Sequence, residues 1–248
     1  MTDKTDPIAL ITDITHFVGG PASKALSTAG FKIFGVDPSF TDAGARQGFA
    51  ANHPQVTPLA EQDPAEIVKA VVAAAGRLDV LINNDAFPAL RAPVDEANES
   101  DLHATFQALT FKPFAMSSAV TPLFKQQGKG KIIFLTSAAP LNGLANYSMY
   151  AAARGATNAL MLSLARELAP HNIQVNAIAP NYVDNPDYFP KSLMENPKAR
   201  EKILKNIPLG RLGRPEEAGA TIAFLASSGA DFITGQIIPL AGGWASAR

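Results

Sequence analysis

A chain of 248 residues with 47% hydrophobic and 17% charged residues can bury one large α/β core, and nothing in it forces a second domain. Its formal net charge of −1, with no basic block, makes nucleic acid and anionic membranes poor partners. The absence of cysteine excludes disulfides, thiolate metal sites and a thiol nucleophile.

The histidines, His16, His53, His103 and His171, are scattered and show no ligand spacing, so no metal is expected. No apolar run approaches the roughly 20 residues of a membrane span. The polar, acidic start MTDKTDP does not read as a signal peptide, so a cytoplasmic location is expected.

Taken in order, Ile8–Ile11 reads as a buried strand, followed by ITDITHFVGGPASKAL as the turn into a first helix. Lys32–Val36 reads as a second strand ending at Asp37. An acid there either binds an adenine ribose diol or caps the turn that follows. Residues 39–51 read as a helix and 55–58 as a short strand. Asp63 is an N-cap with Pro64 at the first position of a helix running to residue 75. Residues 78–82 form a fourth strand, followed by Asn83-Asn84-Asp85-Ala86-Phe87. Residues 93–127 read as a long helical region, bent or broken near Lys112-Pro113.

The richest stretch is KIIFLTSAAPLNGLANYSMYAAAR, residues 131–154. Residues 132–135 are short, β-rich and closed by a Ser-Ala-Ala-Pro break, so they read as a buried strand. A loop around Asn142 and Gly143 leads into an Ala-rich helix over residues 147–169, which carries Tyr150 and Arg154. At i and i+4 these two share one face, with about 5–6 Å between Cβ atoms. Ser137 lies at the carboxyl end of the strand, where a parallel sheet exposes reactive groups. A tyrosine, which titrates at about 10, is a poor base at neutral pH unless its phenolate is stabilised. Arginine keeps its proton and favours a nearby phenolate. Ser137 can then donate to a substrate oxygen while Tyr150 removes that oxygen's proton. The alternative is a chance surface pair on an amphipathic helix.

Residues 173–178 form a sixth strand, followed by Ala179-Pro180-Asn181-Tyr182. Asn196 and Pro197 open a helix to about residue 206. Residues 216–227 form another helix and 235–240 the last strand, before Ala241-Gly242-Gly243-Trp244.

A strand-end Ser followed by Tyr-x-x-x-basic on a helix resembles the short-chain dehydrogenase/reductase family, and the resemblance spans residues 8–244. In that family the last position is Lys, and the lysine also holds the nicotinamide ribose; here it is Arg154. The family's first turn reads Thr-Gly-x-x-x-Gly-x-Gly. Over it lie Thr12, Asp13, Ile14, Thr15, His16, Phe17, Val18 and Gly19, so only the last glycine remains. A charge at Asp13 and a ring at Phe17 oppose a pyrophosphate. Asn-Asn-Ala-Gly has become Asn83-Asn84-Asp85-Ala86, and Pro-Gly has become Pro180-Asn181 with no Thr before Ser192. The stretch Leu109-Thr110-Phe111 lacks the family's proton-relaying Asn. Each change is weak alone, but together they strike one ligand.

A Ser, Tyr, Arg set on this scaffold resembles the halohydrin dehalogenases, the cofactor-independent branch of that superfamily. The resemblance implies a single Rossmann-like, doubly wound domain over residues 1–248, using no dinucleotide. It implies Ser137, Tyr150 and Arg154 as catalytic residues acting on a haloalcohol or epoxide, with release of halide. Pro180, Asn181 and Tyr182 would form a halide nest of backbone amides and rings, faced by Phe17, with Phe87 lining the pocket. Tyr188 and Phe189 would complete an apolar wall, or else pack an irregular lid. Asp85 would pair with Arg154 and carry a proton outward, or simply satisfy turn amides. Trp244 would close the pocket of its own or a neighbouring subunit, and the helices over 93–127 and 147–169 would join a homotetramer. Two other readings stay open: an NAD(P)-dependent oxidoreductase using arginine, and a catalytically silent scaffold.

Overall fold

Strands that are apolar at every position need cover on both faces, which a parallel sheet between two helical layers provides. The computed structural model, which describes residues 6–186 and 188–246, has that arrangement. Residues 1–5 of the acidic start, and residues 187, 247 and 248, lie outside the described residues. The first half runs β1 (Ile8–Ile11), α1 (Gly19–Thr28), β2 (Lys32–Val36), α2 (Ala43–Asn52), β3 (Val56–Leu59), α3 (Pro64–Ala75) and β4 (Val80–Asn83). The second half begins α4 (Glu99–Phe106), α5 (Lys112–Gln127), β5 (Gly130–Leu135), α6 (Ala139–Asn142) and α7 (Ser148–Leu168). It continues β6 (Ile173–Pro180), α8 (Lys191–Met194), α9 (Pro197–Leu204), α10 (Pro215–Ala226) and β7 (Ile237–Leu240).

The seven strands lie in the order β3-β2-β1-β4-β5-β6-β7, and every neighbouring pair is parallel. The winding reverses between β1 and β4, so their carboxyl ends open a crevice, the position at which doubly wound sheets bind ligands. Successive residues of β5 serve opposite layers. Ile132 and Phe134 join the core with Leu10, Phe124 and Leu168, while Ile133 and Leu135 join the one with Ile11, Leu26 and Ile222. Among the described residues no helix is long and apolar enough to cross a membrane.

The structure revises two of the expected helices. Residues 39–51 divide into a 3₁₀ turn at Pro38–Thr41 and then α2. The divide falls at Asp42, whose carboxylate accepts a bond from the Ala45 amide at 2.7 Å and so caps a new helix. Residues 93–127 are interrupted near Lys112-Pro113, as expected, but the interruption is a turn between two helices and the helical region starts late. Helix begins only at Glu99, behind the Asn98 cap, and α4 and α5 are joined by a π-helical turn at Gln107–Phe111. Pro113 has no N–H for the carbonyl of Leu109 four residues back. The Thr157 hydroxyl of α7 donates to that carbonyl instead, at 2.6 Å.

Candidate active site

The ends of β1 and β4 are tied together by side chains that the turn sequences supply. Thr12 Oγ1 accepts the Asn84 amide at 2.9 Å, and Asn84 Nδ2 donates to the carbonyls of Asp13 and His16, each at 3.0 Å. Asp13 and Phe17 stand where the glycines of the family turn would be, and both keep the glycine backbone, with φ of 41° and 43°. L-residues adopt that region at a cost of roughly 1–2 kcal/mol each. The retained glycine, Gly19, has a steric reason to stay, since a Cβ there would lie 2.1 Å from the carbonyl oxygen of Ile14.

The Asp13 carboxylate is buried and fully engaged. One oxygen accepts from Lys112 Nζ at 2.8 Å, the other from the Ala86 amide at 3.1 Å. Asp85, the residue before Ala86, is 3% exposed. Its Oδ2 has no hydrogen-bond partner among the described residues. Burial pushes its carboxyl up to about 7; Asp13 adds to the rise, and Lys112 and Arg154 oppose it.

Tyr150 is half-buried on the first turns of α7, and Arg154 lies one turn further, buried. The guanidinium carbon is 5.5 Å from the centre of the Tyr150 ring, a cation–π distance. Arg154 Nη1 donates to the carbonyl of Leu135 at 2.7 Å and Nη2 to that of Asp85 at 3.0 Å. The arginine therefore joins the ends of β4 and β5 beneath the tyrosine. Its bond to Asp85 goes to the backbone carbonyl rather than to the carboxylate, because the fork is already aligned with two strand-end carbonyls. Ser137 is buried at the end of β5, and its Oγ accepts the Ala139 amide at 3.1 Å. Its hydroxyl proton is not given to any other described residue and stays available to a ligand.

At the end of β6 the expected ring of open amides is not formed. The Asn181 amide donates to the Leu240 carbonyl at 3.1 Å, and the Tyr182 amide to the Asn181 side-chain oxygen at 3.1 Å. Tyr182, at φ 55°, is the hub of the aromatic wall. The Trp244 ring meets it edge-on at 5.7 Å, and the Phe189 ring lies at 6.2 Å. Trp244 thus reaches this wall in its own chain. Tyr188, next to Phe189, is 45% exposed. Phe17 and Phe87 are half-buried, and Phe17 packs against the core that holds Ile14 and Val18.

The fold family implies a nicotinamide dinucleotide, and the residues here do not fit one. A carboxylate and a phenyl ring occupy the turn where a diphosphate must approach bare backbone. A cavity beside Thr12, Asp13, Asp37 and Asp85 has a volume of about 50 Å³, enough for a few waters. Asp37 is engaged as a cap. Burial raises its carboxyl, but bonds from Ser39 and Thr15 outweigh that and hold it below the usual carboxylate range.

Lys112 and Asn84 are the site residues that sequence reasoning passed over. A signal for Lys112 existed, since it is the only Lys or Arg between Arg91 and Lys125, and an acid in a former glycine turn needs a counter-charge.

A family model described as "Enoyl-(Acyl carrier protein) reductase" matches residues 22–245. The 3-oxoacyl-(acyl-carrier-protein) reductase of Thermotoga maritima is 36% identical over 178 residues, 72% of this chain and 70% of that protein. The chain belongs to the short-chain dehydrogenase/reductase superfamily of enzymes. Among solved structures it is similar to a "Dehalogenation enzyme" at 43% identity and TM-score 0.93, covering 97% of this chain and 99% of that one. It is also similar to a halohydrin dehalogenase bound to ethyl (2S)-oxiran-2-ylacetate, at 38% identity and TM-score 0.91, with 97% and 98% covered.

Proposed function

We propose that the protein is a cofactor-independent halohydrin dehalogenase, a lyase that converts vicinal haloalcohols to epoxides. The observation that carries this reading is the Asp13–Lys112 pair at 2.8 Å in the first turn, which puts charge where a dinucleotide would lie. The Arg154 guanidinium over the Tyr150 ring near the start of α7, and the Ser137 hydroxyl at the end of β5, support the same reading. The two dehalogenase neighbours, one of them holding an oxirane, support the same direction.

In the proposed reaction Ser137 donates a hydrogen bond to the substrate hydroxyl oxygen, and Tyr150 takes that oxygen's proton. Arg154 keeps a fixed positive charge over the ring as the phenolate forms and disappears. The alkoxide oxygen bonds to the neighbouring carbon, and the carbon–halogen bond breaks with its electron pair leaving on the halide. Epoxide, halide and one proton result, with no change of oxidation state. In reverse, azide, cyanide or nitrite opens the epoxide.

The halide would leave into the pocket of Pro180, Asn181 and Tyr182, walled by Phe189, Trp244 and Phe17. There it would displace the Asn181 side-chain oxygen from the Tyr182 amide, an exchange of one acceptor for another. Phe87 would line the substrate side, and Asp85 would pass the proton outward. Phe114 of α5 and Leu162 of α7, 54% and 43% exposed, support packing of these helices against other copies in a homotetramer.

Halide release from 1,3-dichloro-2-propanol, measured with and without added NAD(P), tests the reading. Release without cofactor supports it. Its absence, together with saturable NADH binding, would return the chain to the redox members.

A further inference from the structure

We infer that Asp13 and Lys112 act as positioning residues for Asp85, setting the charge its carboxyl carries across the cavity the three share. The consequence for turnover rests on the proposed role of Asp85 as outward proton carrier. The geometry does not.

The cavity of about 50 Å³ is lined by Thr12, Asp13, Asp37, Asp85, Lys112 and Met116 among others. It brings together the ends of β1, β2 and β4 and the head of α5. The buried Asp85 Oδ2 has no protein partner among the described residues. A buried carboxyl oxygen in that condition needs a water or a proton, and the cavity has room for a few waters. The Asp13 side chain, 8% exposed, is held between Lys112 and the amide of Ala86, which directly follows Asp85. Lys112 reaches the pair from the solvent side, with its side chain 43% exposed. Asp85 is thus faced by an anion from the first loop and a cation from α5, bonded to each other.

The other charges around it are fixed by separate contacts. Arg154 of α7 is held by two backbone carbonyls, and Asp37 of β2 is capped by Ser39 and Thr15. Among the described residues, Asp13 and Lys112 are the ion pair at this cavity. While intact, they act on Asp85 in opposite directions, the anion raising and the cation lowering its carboxyl. Removing the cation leaves a bare carboxylate beside Asp85 and favours its protonated form; removing the anion leaves a bare ammonium and favours its ionised form. A pair that merely latched α5 to the first loop would have the same effect whichever partner was lost. The opposite signs separate the two roles.

The test is a ¹³C NMR titration of the aspartate carboxyls in the full-length protein, with Asp85 assigned by its loss in Asp85→Asn. In Lys112→Met the Asp85 midpoint rises by about one pH unit, and in Asp13→Asn it falls by a similar amount. Lys112→Arg returns it to the wild-type position. Lys112→Gln replaces the Met variant should that one fail to fold, with the same expected rise. Midpoints that stay put, or that move the same way in both variants, overturn the inference. The pH profile of halide release follows the same two directions at unchanged KM. Opposite NMR shifts in a protein that releases no halide would sink the proposed function and leave the inference standing.

Discussion

Arg154 has no lysine equivalent in what it does. Its two terminal nitrogens reach the Leu135 and Asp85 carbonyls at 2.7 and 3.0 Å while the guanidinium lies over Tyr150. A single ammonium cannot span that fork. In Arg154→Lys, halide release is expected to fall at least about 10²-fold with the fold retained, and near-wild-type turnover would contradict this role. Asp85 makes a stability prediction whose sign is fixed. Its folded value of about 7 lies above the ordinary value of about 4, so the fold favours the protonated form. That contribution is full below about pH 4 and is lost as the pH rises through about 7. Asp85→Asn should flatten the fall in urea stability between these limits, and an unchanged slope would contradict the assignment. Tyr150 and Arg154 were legible as a pair because helical spacing puts the guanidinium carbon 5.5 Å from the ring centre, and Ser137 was legible by its place at the strand end. The partner of Asp13 was harder to see, since Lys112 lies 99 residues away and only its isolation as a cation marks it.

At the scale of elements, most strands were legible from their uninterrupted apolar runs, and the N-caps Asp63 and Asn196 from their Pro-following signatures. The join between α4 and α5 was not. Sequence marks Pro113 as a breaker, but what the chain does there depends on Thr157, 48 residues from Leu109. That hydroxyl also meets the Ala153 carbonyl at 3.0 Å, so one side chain ties the π turn to the helix bearing Arg154. Thr157→Val keeps the shape and leaves the buried Leu109 carbonyl without its donor. It is expected to cost about 1–3 kcal/mol in urea unfolding, and a loss below about 0.5 kcal/mol would show that the turn holds without it. The hydrogen bonding of the Pro180–Tyr182 loop was not legible for a related reason. A Pro-Asn-Tyr loop offers amides on paper, yet β7 and the Asn181 side chain take them first.

At the scale of the molecule, a parallel seven-stranded sheet retains the crevice of its superfamily, while Asp13, Asp85 and Lys112 line the dinucleotide side of it. The aromatic wall of Tyr182, Phe189 and Trp244 borders the other side, beyond the end of β6. On the proposed reading, Ser137 and Tyr150 serve proton abstraction without hydride transfer. The central claim is tested most directly by following halide and proton release together from a vicinal haloalcohol, in the absence of NAD(P), for the wild type and Tyr150→Phe. Equal amounts of halide and acid are expected from the wild type, and a fall of at least about 10³-fold in the variant with its melting temperature unchanged. Halide release that survives in Tyr150→Phe, or that appears only with NAD(P) present, would contradict it.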